Sequence, residues 1–228
     1  MYLKPEFIPP YAPRLSMRNV PTELAPSASS IERNLHDMRS AAAALIAAIS
    51  LFEFCGMQER MLRATQAPMG RTLYTDWMFL AGREGAMAIR NFRFALSTVR
   101  GLIGTIPPWR TSVDTAALKR AEQEFSKHFP FADHMRHAIA HPENHSNPAK
   151  SKPITKGIDM LGMNVSAGAA VTIKNGIFNS TFSDTFEGAL VHYDLTPETM
   201  KTILSILTIC FDAFSNIDEF RFMQNIRP

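Results

Sequence analysis

The stretch from Phe131 to His145 reads FADHMRHAIAHPENH, and it decides the fold that we predict. Together with the residues just before it, this stretch holds five of the seven histidines in the chain. Its apolar residues Phe131, Met135, Ala138 and Ile139 follow the i, i+4, i+7, i+8 spacing of a helix with one buried face. The sequence therefore predicts a helix that presents histidines on its polar side.

Two prolines set the ends of this predicted helix. Pro130 suits a first helical position, where a missing N–H costs little. Pro142 disfavours helical geometry at His141, so the helix is predicted to end there. At ~100° per residue, Arg136 lies about 140° from His141 around a straight helix. The two side chains can act on one group only if the helix end bends or a second copy of the chain supplies one of them, which points to a homodimer.

The segment Arg136-His137-Ala138-Ile139-Ala140-His141 resembles the R-x4-6-H motif of the HEPN superfamily (higher eukaryotes and prokaryotes nucleotide-binding). The resemblance implies a helical bundle that dimerises with its motif helices together. In many members it also implies a metal-independent ribonuclease of a toxin–antitoxin or phage-defence system. It assigns Arg136 and His141 as the catalytic pair and His137 as the supporting polar residue. RNA and an antitoxin protein are the partners that it implies, with no cofactor.

Other interpretations fit the same residues. His134, His137 and His141 share a helix face, with Asp133 and Glu143 nearby, and imidazoles bind zinc and other transition metals. Because three ligands along two turns span ~10 Å, only a pair of them can reach one ion, and we predict no metal site. A second alternative is a non-catalytic HEPN-like dimer module that binds RNA, a nucleotide or a protein. The third is a plain helix whose polar face happens to use histidine.

Composition predicts a soluble globular protein. The 228 residues are 46% hydrophobic and 20% charged with a net charge of +3, which permits binding to an acidic polymer without requiring it. Cys55 and Cys210 lie among apolar residues and are predicted to be buried thiols of a reducing compartment. The proline-interrupted N-terminus does not resemble a signal peptide, and the apolar run from Ala41 to Phe52 is short of the ~20 residues of a membrane span. We predict a cytoplasmic protein with no membrane partner.

Residues 1–27, which contain six prolines, are predicted to form an extended arm that packs on its own body or on a partner, or is disordered. Residues 28–228 are predicted to form one helical-bundle domain. Its other helices are predicted from a cap at Ser29 to Ala67 with a kink or an end at Gly56, from about Thr72 to Val99, from Asp114 to His128, and from Thr196 to about Phe222. Between them, the segment from Gly101 to Arg110 is predicted to be a turn.

Basic residues mark a predicted RNA-binding surface. The second long helix carries a basic stripe opposite an apolar inner face of Ala88, Phe92, Ala95, Leu96 and Val99. The predicted RNA-binding residues are Arg83, Arg90, Arg93 and Arg100 of this stripe and Lys150 and Lys152 of the polar loop after the motif. Phe94 lies near the stripe, where it is available to stack on bases. A solvated helix face and a solvated loop are the alternatives.

Residues 163–195 change from helical to alternating periodicity. The runs from Ala170 to Lys174 and from Ile177 to Phe182 flank Asn175-Gly176, a strong signal for a two-residue hairpin turn. A third run extends from Ala189 to Leu195. We therefore predict an all-α helical bundle with a small inserted antiparallel β-hairpin or meander. His192 lies within this insertion, where we predict a structural cross-strand role.

Overall fold

The computed structural model describes residues 5–64, 71–135, 158–160, 163–165, 176–186 and 189–219. These residues are mostly helical and include a small three-stranded antiparallel sheet, which confirms a helical protein with a β insertion. Contacts divide the chain into two compact units. Unit 1 comprises residues 1–43, 91–130 and 200–228, and unit 2 comprises residues 44–90 and 131–199.

The helices follow the predicted order with different ends. They are α1 (Ala25–Ala64), α2 (Arg71–Ile103), α3 (Pro107–Ser112), α4 (Thr115–His128) and α5 (Pro197–Asp212). A further helical turn covers residues 132–135. Three short 3₁₀ turns cover Pro5–Phe7, Thr22–Leu24 and Ser215–Ile217.

The core of unit 1 contains stacked aromatic rings. The rings of Phe92 on α2 and Phe125 on α4 are nearly parallel at 5.4 Å, and Phe129 packs on Phe125 at 5.0 Å. Every residue of the predicted inner face that lies in this unit is at most 1% exposed. The N–H of Ala117 donates to Oδ1 of Asp114 over 2.9 Å, so the predicted cap of α4 is confirmed.

The N-terminal arm packs on its own chain in unit 1. Leu15 forms an antiparallel bridge with Asp218, and the N–H of Ser16 donates to the carbonyl of Ile217 over 2.9 Å. Arg39 on α1 donates to the carbonyl of Pro10 over 2.9 Å, and its guanidinium lies 5.2 Å from the centre of the Tyr11 ring. The arm's apolar residues Phe7, Ala12 and Leu15 are buried, so the arm is part of the packed structure of unit 1.

Two predicted features of α1 are wrong. The helix begins at Ala25 rather than after Ser29, because Pro26 falls in the first turn, where its missing N–H needs no partner. It also continues through Gly56 without a break. An interior glycine weakens a helix by only about 1 kcal/mol, and the buried residues Phe52 and Cys55 hold this turn by packing.

The predicted turn from Gly101 to Arg110 is largely wrong as well, since α2 runs to Ile103 and α3 begins at Pro107. The last helix is also shorter than predicted. It ends at Asp212 instead of near Phe222, and the chain then turns, with Phe214 fully buried, to bring Asp218 to the arm. At the other end of α5, the N–H of Thr199 lies 3.4 Å from Oγ1 of Thr196, the predicted cap.

The β insertion belongs to unit 2. It comprises a hairpin of β1 (Ile158–Met160) and β2 (Met163–Val165), and a meander of β3 (Gly176–Phe178), β4 (Thr181–Phe186) and β5 (Ala189–Asp194). The predicted strand from Ala189 to Leu195 is thus confirmed as β5. The prediction of a single strand from Ile177 to Phe182 is wrong, because Asn179 and Ser180 form a two-residue turn inside it. Asn179 has a φ of 55°, which asparagine tolerates better than most residues. The predicted strand at 170–174 and Asn175 lie outside the described residues.

The meander packs on α2 at two glycines. Phe182 and Tyr193 are cross-strand partners whose ring centres are 5.8 Å apart. A Cβ added at Gly82 would lie 3.0 Å from Cε2 of Phe182 and closer to its Cδ2, and one added at Gly85 would lie 3.0 Å from Cζ of Tyr193. The hydroxyl of Tyr193 donates to the carbonyl of Gly82 over 2.7 Å. Glycine is required at both positions because the rings occupy the space of a side chain.

The helical stretch Thr22–Ala64 is long and apolar enough to cross a membrane by length and composition alone, with a mean hydropathy of 1.8 over its most apolar 18 residues. Half of that window is buried inside the protein. Core helices of soluble proteins have the same length and composition.

Candidate functional site

The start of the motif helix is described up to Met135. The N–H groups of His134 and Met135 both donate to the carbonyl of Phe131, over 3.0 and 2.9 Å. Residues 132–135 are helical, whereas Pro130 and Phe131 form the preceding turn, so helix geometry begins slightly later than predicted. Arg136, His137 and His141, the predicted catalytic residues, lie outside the described residues.

Burial sets the orientation of this first helical turn. Ala132 and Met135 are 3% and 1% exposed, whereas Asp133 and His134 are exposed. Of the predicted core stripe, Met135 therefore points inward, whereas Phe131 is only half-buried and the neighbouring Ala132, outside the predicted stripe, is buried. Ala138 and Ile139 lie outside the described residues. The polar side of the same turn faces solvent.

The β-meander supports the motif helix through an aromatic contact that sequence reasoning missed. The imidazole of His192 on β5 lies 5.1 Å from the ring of Phe131, with the two planes tilted by 52°. His192 is exposed and lies opposite Ser183 in the register of β4 and β5. A ring pair of this kind contributes about 0.5–1.5 kcal/mol. The contact fixes where the motif helix begins relative to β5.

A buried carboxylate lies one register position from His192. Asp184 on β4 pairs with Val191 and is 1% exposed, and this residue is not without an interaction partner. A carboxylate this deeply buried keeps its charge only when donors or a cation surround it. Alternation gives a sequence signal for this burial, since Asp184 falls two residues after Phe182 and thus on the same face of the strand.

The predicted basic stripe is not uniform along α2. In unit 1, Arg93 Nη1 lies 3.0 Å from Oε1 of Glu122 on α4, and Arg100 pairs with the other oxygen of the same carboxylate. In unit 2, Arg83 is exposed and Arg90 is half-buried. A phosphate at Arg93 or Arg100 would compete with Glu122, whereas Arg83 points into solvent. Phe94 is 61% exposed, as base stacking requires. Lys150 and Lys152 lie outside the described residues.

Glu122 escaped the sequence analysis because it is on a different helix, α4. Phe125, three residues later, packs on Phe92 of α2, and that spacing places Glu122 and Phe125 on the same side of α4. An acidic residue beside a core aromatic at i+3 is the signal that predicts such a pair.

The two cysteines are inert. Cys55 and Cys210 are free thiols with 0% exposure, which confirms that they are buried. Burial raises the pKa of the Cys55 thiol above its ordinary value, and it raises the pKa of Cys210 to about 12. Because the thiolate is the nucleophile, neither residue is prepared for covalent catalysis at neutral pH.

A groove of about 960 Å³ lies in unit 1 between the arm, α3 and the residues after α5. Its lining is Ser16, Met17, Arg18, Asn19, Pro108, Trp109, Ser112, Asn216, Ile217 and Glu219. None of these lining residues is a histidine, and none belongs to the predicted catalytic set. It can hold a ligand, but it does not carry the predicted chemistry.

Among the described residues, no group of three or more His, Cys, Asp or Glu side chains is arranged to hold a metal ion. Asp133 and His134 are the described members of the metal-binding alternative, and its other three residues lie outside the described ranges. No protein-family model, curated protein or solved structure matches the chain.

Proposed function

We propose that this chain is a HEPN-like metal-independent endoribonuclease that uses Arg136 and His141 across the cleft of a homodimer. The observation that carries the proposal is the helical turn just before the motif, with Ala132 and Met135 buried and Asp133 and His134 exposed. At ~100° per residue, positions 137 and 141 then fall within roughly 60° of the exposed side chain of His134. The motif histidines are thereby expected in solvent, where RNA can reach them.

The chemistry needs one base, one acid and one cation. A base removes the proton of the ribose 2′-OH, whose oxygen attacks the phosphorus, and the bond from phosphorus to the 5′-oxygen breaks as that oxygen gains a proton. His141 carries out proton transfer because an imidazole exists in both forms near neutral pH. Arg136 holds the phosphoryl oxygens with its permanent, forked charge. His137 orients the phosphate or shares the proton transfer. The products are a 2′,3′-cyclic phosphate and a free 5′-hydroxyl.

A homodimer completes this site. Arg136 and His141 are about 140° apart on a straight helix, so one copy alone does not aim both at the same phosphate. Two copies with their motif helices near the two-fold axis bring an arginine of one protomer to a histidine of the other. The exposed Arg83 and the half-buried Arg90, with Lys150 and Lys152, provide the charges that track the RNA backbone.

The biological setting that fits such an enzyme is a cytoplasmic toxin or phage-defence ribonuclease that an antitoxin protein restrains. Half of the most apolar part of α1 is buried inside the protein, which is compatible with a core helix. The net charge of +3 suits a polyanionic substrate without excluding others.

Cleavage of single-stranded RNA tests the proposal. Arg136→Ala and His141→Ala should each slow cutting by about 10²–10⁴-fold, the usual effect of losing a proton-transfer or charge-stabilising group. Their melting temperatures should stay close to that of the parent chain. His134→Ala, which removes an exposed histidine outside the motif, is the matched control and should change the rate far less.

Two further readouts separate the alternatives. EDTA should leave the rate unchanged and the fragments should end in a cyclic phosphate, whereas EDTA-sensitive cutting would replace the proposal with a metal site. A folded dimer that binds RNA and never cuts it would instead establish the non-catalytic binding module.

A further inference from the structure

The outward side of α2 in unit 2 carries large apolar side chains in solvent. Leu73, Trp77 and Leu80 are 49%, 39% and 56% exposed, and Met87, one heptad after Leu80, is half-buried. Positions i, i+4, i+7 and i+14 fall on one side of a helix. We call these four residues the α2 apolar stripe. A row of large apolar side chains in solvent marks an interaction surface more often than a solvated face.

The central aromatic residue of the stripe is held in place. The indole of Trp77 packs edge-on against Tyr74 at 5.9 Å, and Tyr74 packs edge-on against Phe54 of α1 at 6.4 Å. Its orientation is therefore set before any partner arrives, so binding loses little side-chain entropy there. Fixed, partly exposed tryptophans are enriched among the residues that dominate binding energy at interfaces.

The charges beside the stripe identify its occupant. Arg83 and Glu84 are adjacent and both exposed, and neither forms an ion pair with another residue that the structure describes. Leu80 precedes Arg83 by three residues, and Met87 follows Glu84 by three. The segment from Leu80 to Met87 therefore has the same order of residue types from either end: an apolar residue, a charged residue, a residue of opposite charge and an apolar residue.

This order is complementary to itself in the antiparallel direction. A two-fold axis through the middle of the Arg83–Glu84 pair places Arg83 of one copy opposite Glu84 of the other, twice by symmetry. The same axis places Leu80 opposite Met87, also twice. A parallel arrangement would instead bring like charges together, which weakens association.

We infer that the α2 apolar stripe is a self-association surface on which a second copy of this chain docks antiparallel, with Arg83 of each protomer paired to Glu84 of its partner. The inference does not rest on the proposed ribonuclease activity, because none of the motif residues takes part. Arg83 is shared with the proposed RNA-binding surface, so RNA bound at Arg83 would compete with this pairing. A single helix face covers less than the ~800 Å² per partner of a standard interface. We therefore expect weak association, with a dissociation constant on the order of tens of micromolar.

Charge reversal in sedimentation experiments tests the antiparallel pairing. Arg83→Glu and Glu84→Arg should each weaken self-association by about tenfold or more, because each substitution opposes like charges twice. An equimolar mixture of these two variants should associate like the parent chain, since each copy then meets the complementary charge. The double exchange Arg83→Glu with Glu84→Arg should do the same. Lys119→Glu, a charge reversal at an exposed position of α4, is the control and should associate like the parent.

The sedimentation results can contradict either the self-association itself or its antiparallel pairing. A parent chain that stays monomeric at hundreds of micromolar overturns the inference, as do single variants that associate like the parent. Single variants that dissociate but do not recover on mixing overturn the antiparallel pairing. Because recovery on mixing requires folded partners, it also excludes misfolding as the cause. Arg136→Ala tests the catalytic motif separately and should leave assembly through α2 unchanged.

Discussion

In unit 2, the inner face of α2 carries small residues and its outer face carries large apolar ones, which is the reverse of the usual distribution. The inner face has its smallest residues, Gly82 and Gly85, where Phe182 and Tyr193 press against the helix. The outer face presents Trp77, Leu73 and Leu80 to solvent. The larger apolar side chains thus lie on the outer face, next to the exposed charges of Arg83 and Glu84. The difference teaches that shape sets the buried face, since a helix can admit aromatic rings at its backbone only where it lacks side chains.

Among substitutions on the inner face of α2, Gly85→Ala should destabilise the protein most. The new methyl group would collide with Tyr193 and lie 3.3 Å from Cδ1 of Leu45, and it would displace the hydroxyl that donates to Gly82. Overpacking of this kind costs about 1–3 kcal/mol, and the lost hydrogen bond costs about 1 kcal/mol more. Allowing for the better helix propensity of alanine, worth about 1 kcal/mol, we expect the free energy of unfolding to fall by about 1–3 kcal/mol in urea denaturation followed by circular dichroism.

The matched control is Gly101→Ala in the same helix. A Cβ at Gly101 meets nothing within 4 Å, so this substitution should stabilise the protein by about 0.5–1 kcal/mol through helix propensity alone. If the two substitutions shifted the unfolding midpoint in the same direction, the close approach at Gly85 would be refuted.

Gly82→Ala should have the next largest effect, about 1–2 kcal/mol of lost stability, since the Phe182 ring can move further than the hydrogen-bonded Tyr193. Combining Gly82→Ala with Phe182→Leu should recover part of the lost stability, because the smaller leucine side chain leaves room for the new methyl group. A double-mutant cycle on unfolding free energies measures the coupling. Strictly additive effects would show that the two residues do not touch.

Removing the hydroxyl in Tyr193→Phe should cost about 1 kcal/mol, the usual net value of one hydrogen bond, and should also change the pH dependence. Burial, with a contribution from Glu84, raises the pKa of Tyr193 above its ordinary value of 10.0. The folded state then binds the phenolic proton more tightly than the unfolded chain, so this contribution to stability is complete below pH 10.0 and falls as the pH rises further. Unfolding free energies from neutral pH to pH 11 should decline more steeply for the parent chain than for the variant.

The outer face should respond to Leu80→Ser with the smallest change in stability, within about 0.5 kcal/mol, because the side chain is 56% exposed. Self-association through the α2 apolar stripe should nevertheless weaken. Sedimentation of the variant beside urea denaturation separates the two quantities. A large loss of stability would mean that Leu80 is covered within its own protomer.

Local signals predicted much of the fold. The periodicity of Phe92, Leu96 and Val99 predicted the buried side of α2, and Asp114 predicted the start of α4, because each feature depends on residues within a few positions of one another. The meander was expected from alternation, but the turn at Asn179-Ser180 was not. Pairing between Phe178 and Thr181 shows that this turn divides the predicted strand from Ile177 to Phe182, whereas the predicted turn at Asn175-Gly176 falls partly outside the described residues.

Contacts between distant positions escaped prediction for a physical reason. The approach of Phe182 to Gly82 joins residues a hundred positions apart, and no local pattern encodes which ring meets which glycine. Two glycines at i and i+3 inside a helix lower its propensity by about 1 kcal/mol each, which is itself a signal of a close approach. In the candidate site, the inward phase of Met135 followed from periodicity, whereas the contact of Phe131 with His192 depends on tertiary packing.

The contact between the N-terminal arm and the residues after α5 constrains when unit 1 can fold during translation. Arg14 and Asp218 are 204 positions apart, and at ~5–20 residues per second a ribosome needs on the order of 10–40 s to synthesise the intervening chain. Throughout that time the arm has no Asp218 to pair with, and Leu15 lacks the residue with which it forms an antiparallel bridge. The packing of the arm in unit 1 therefore becomes complete only after residue 218 has been synthesised.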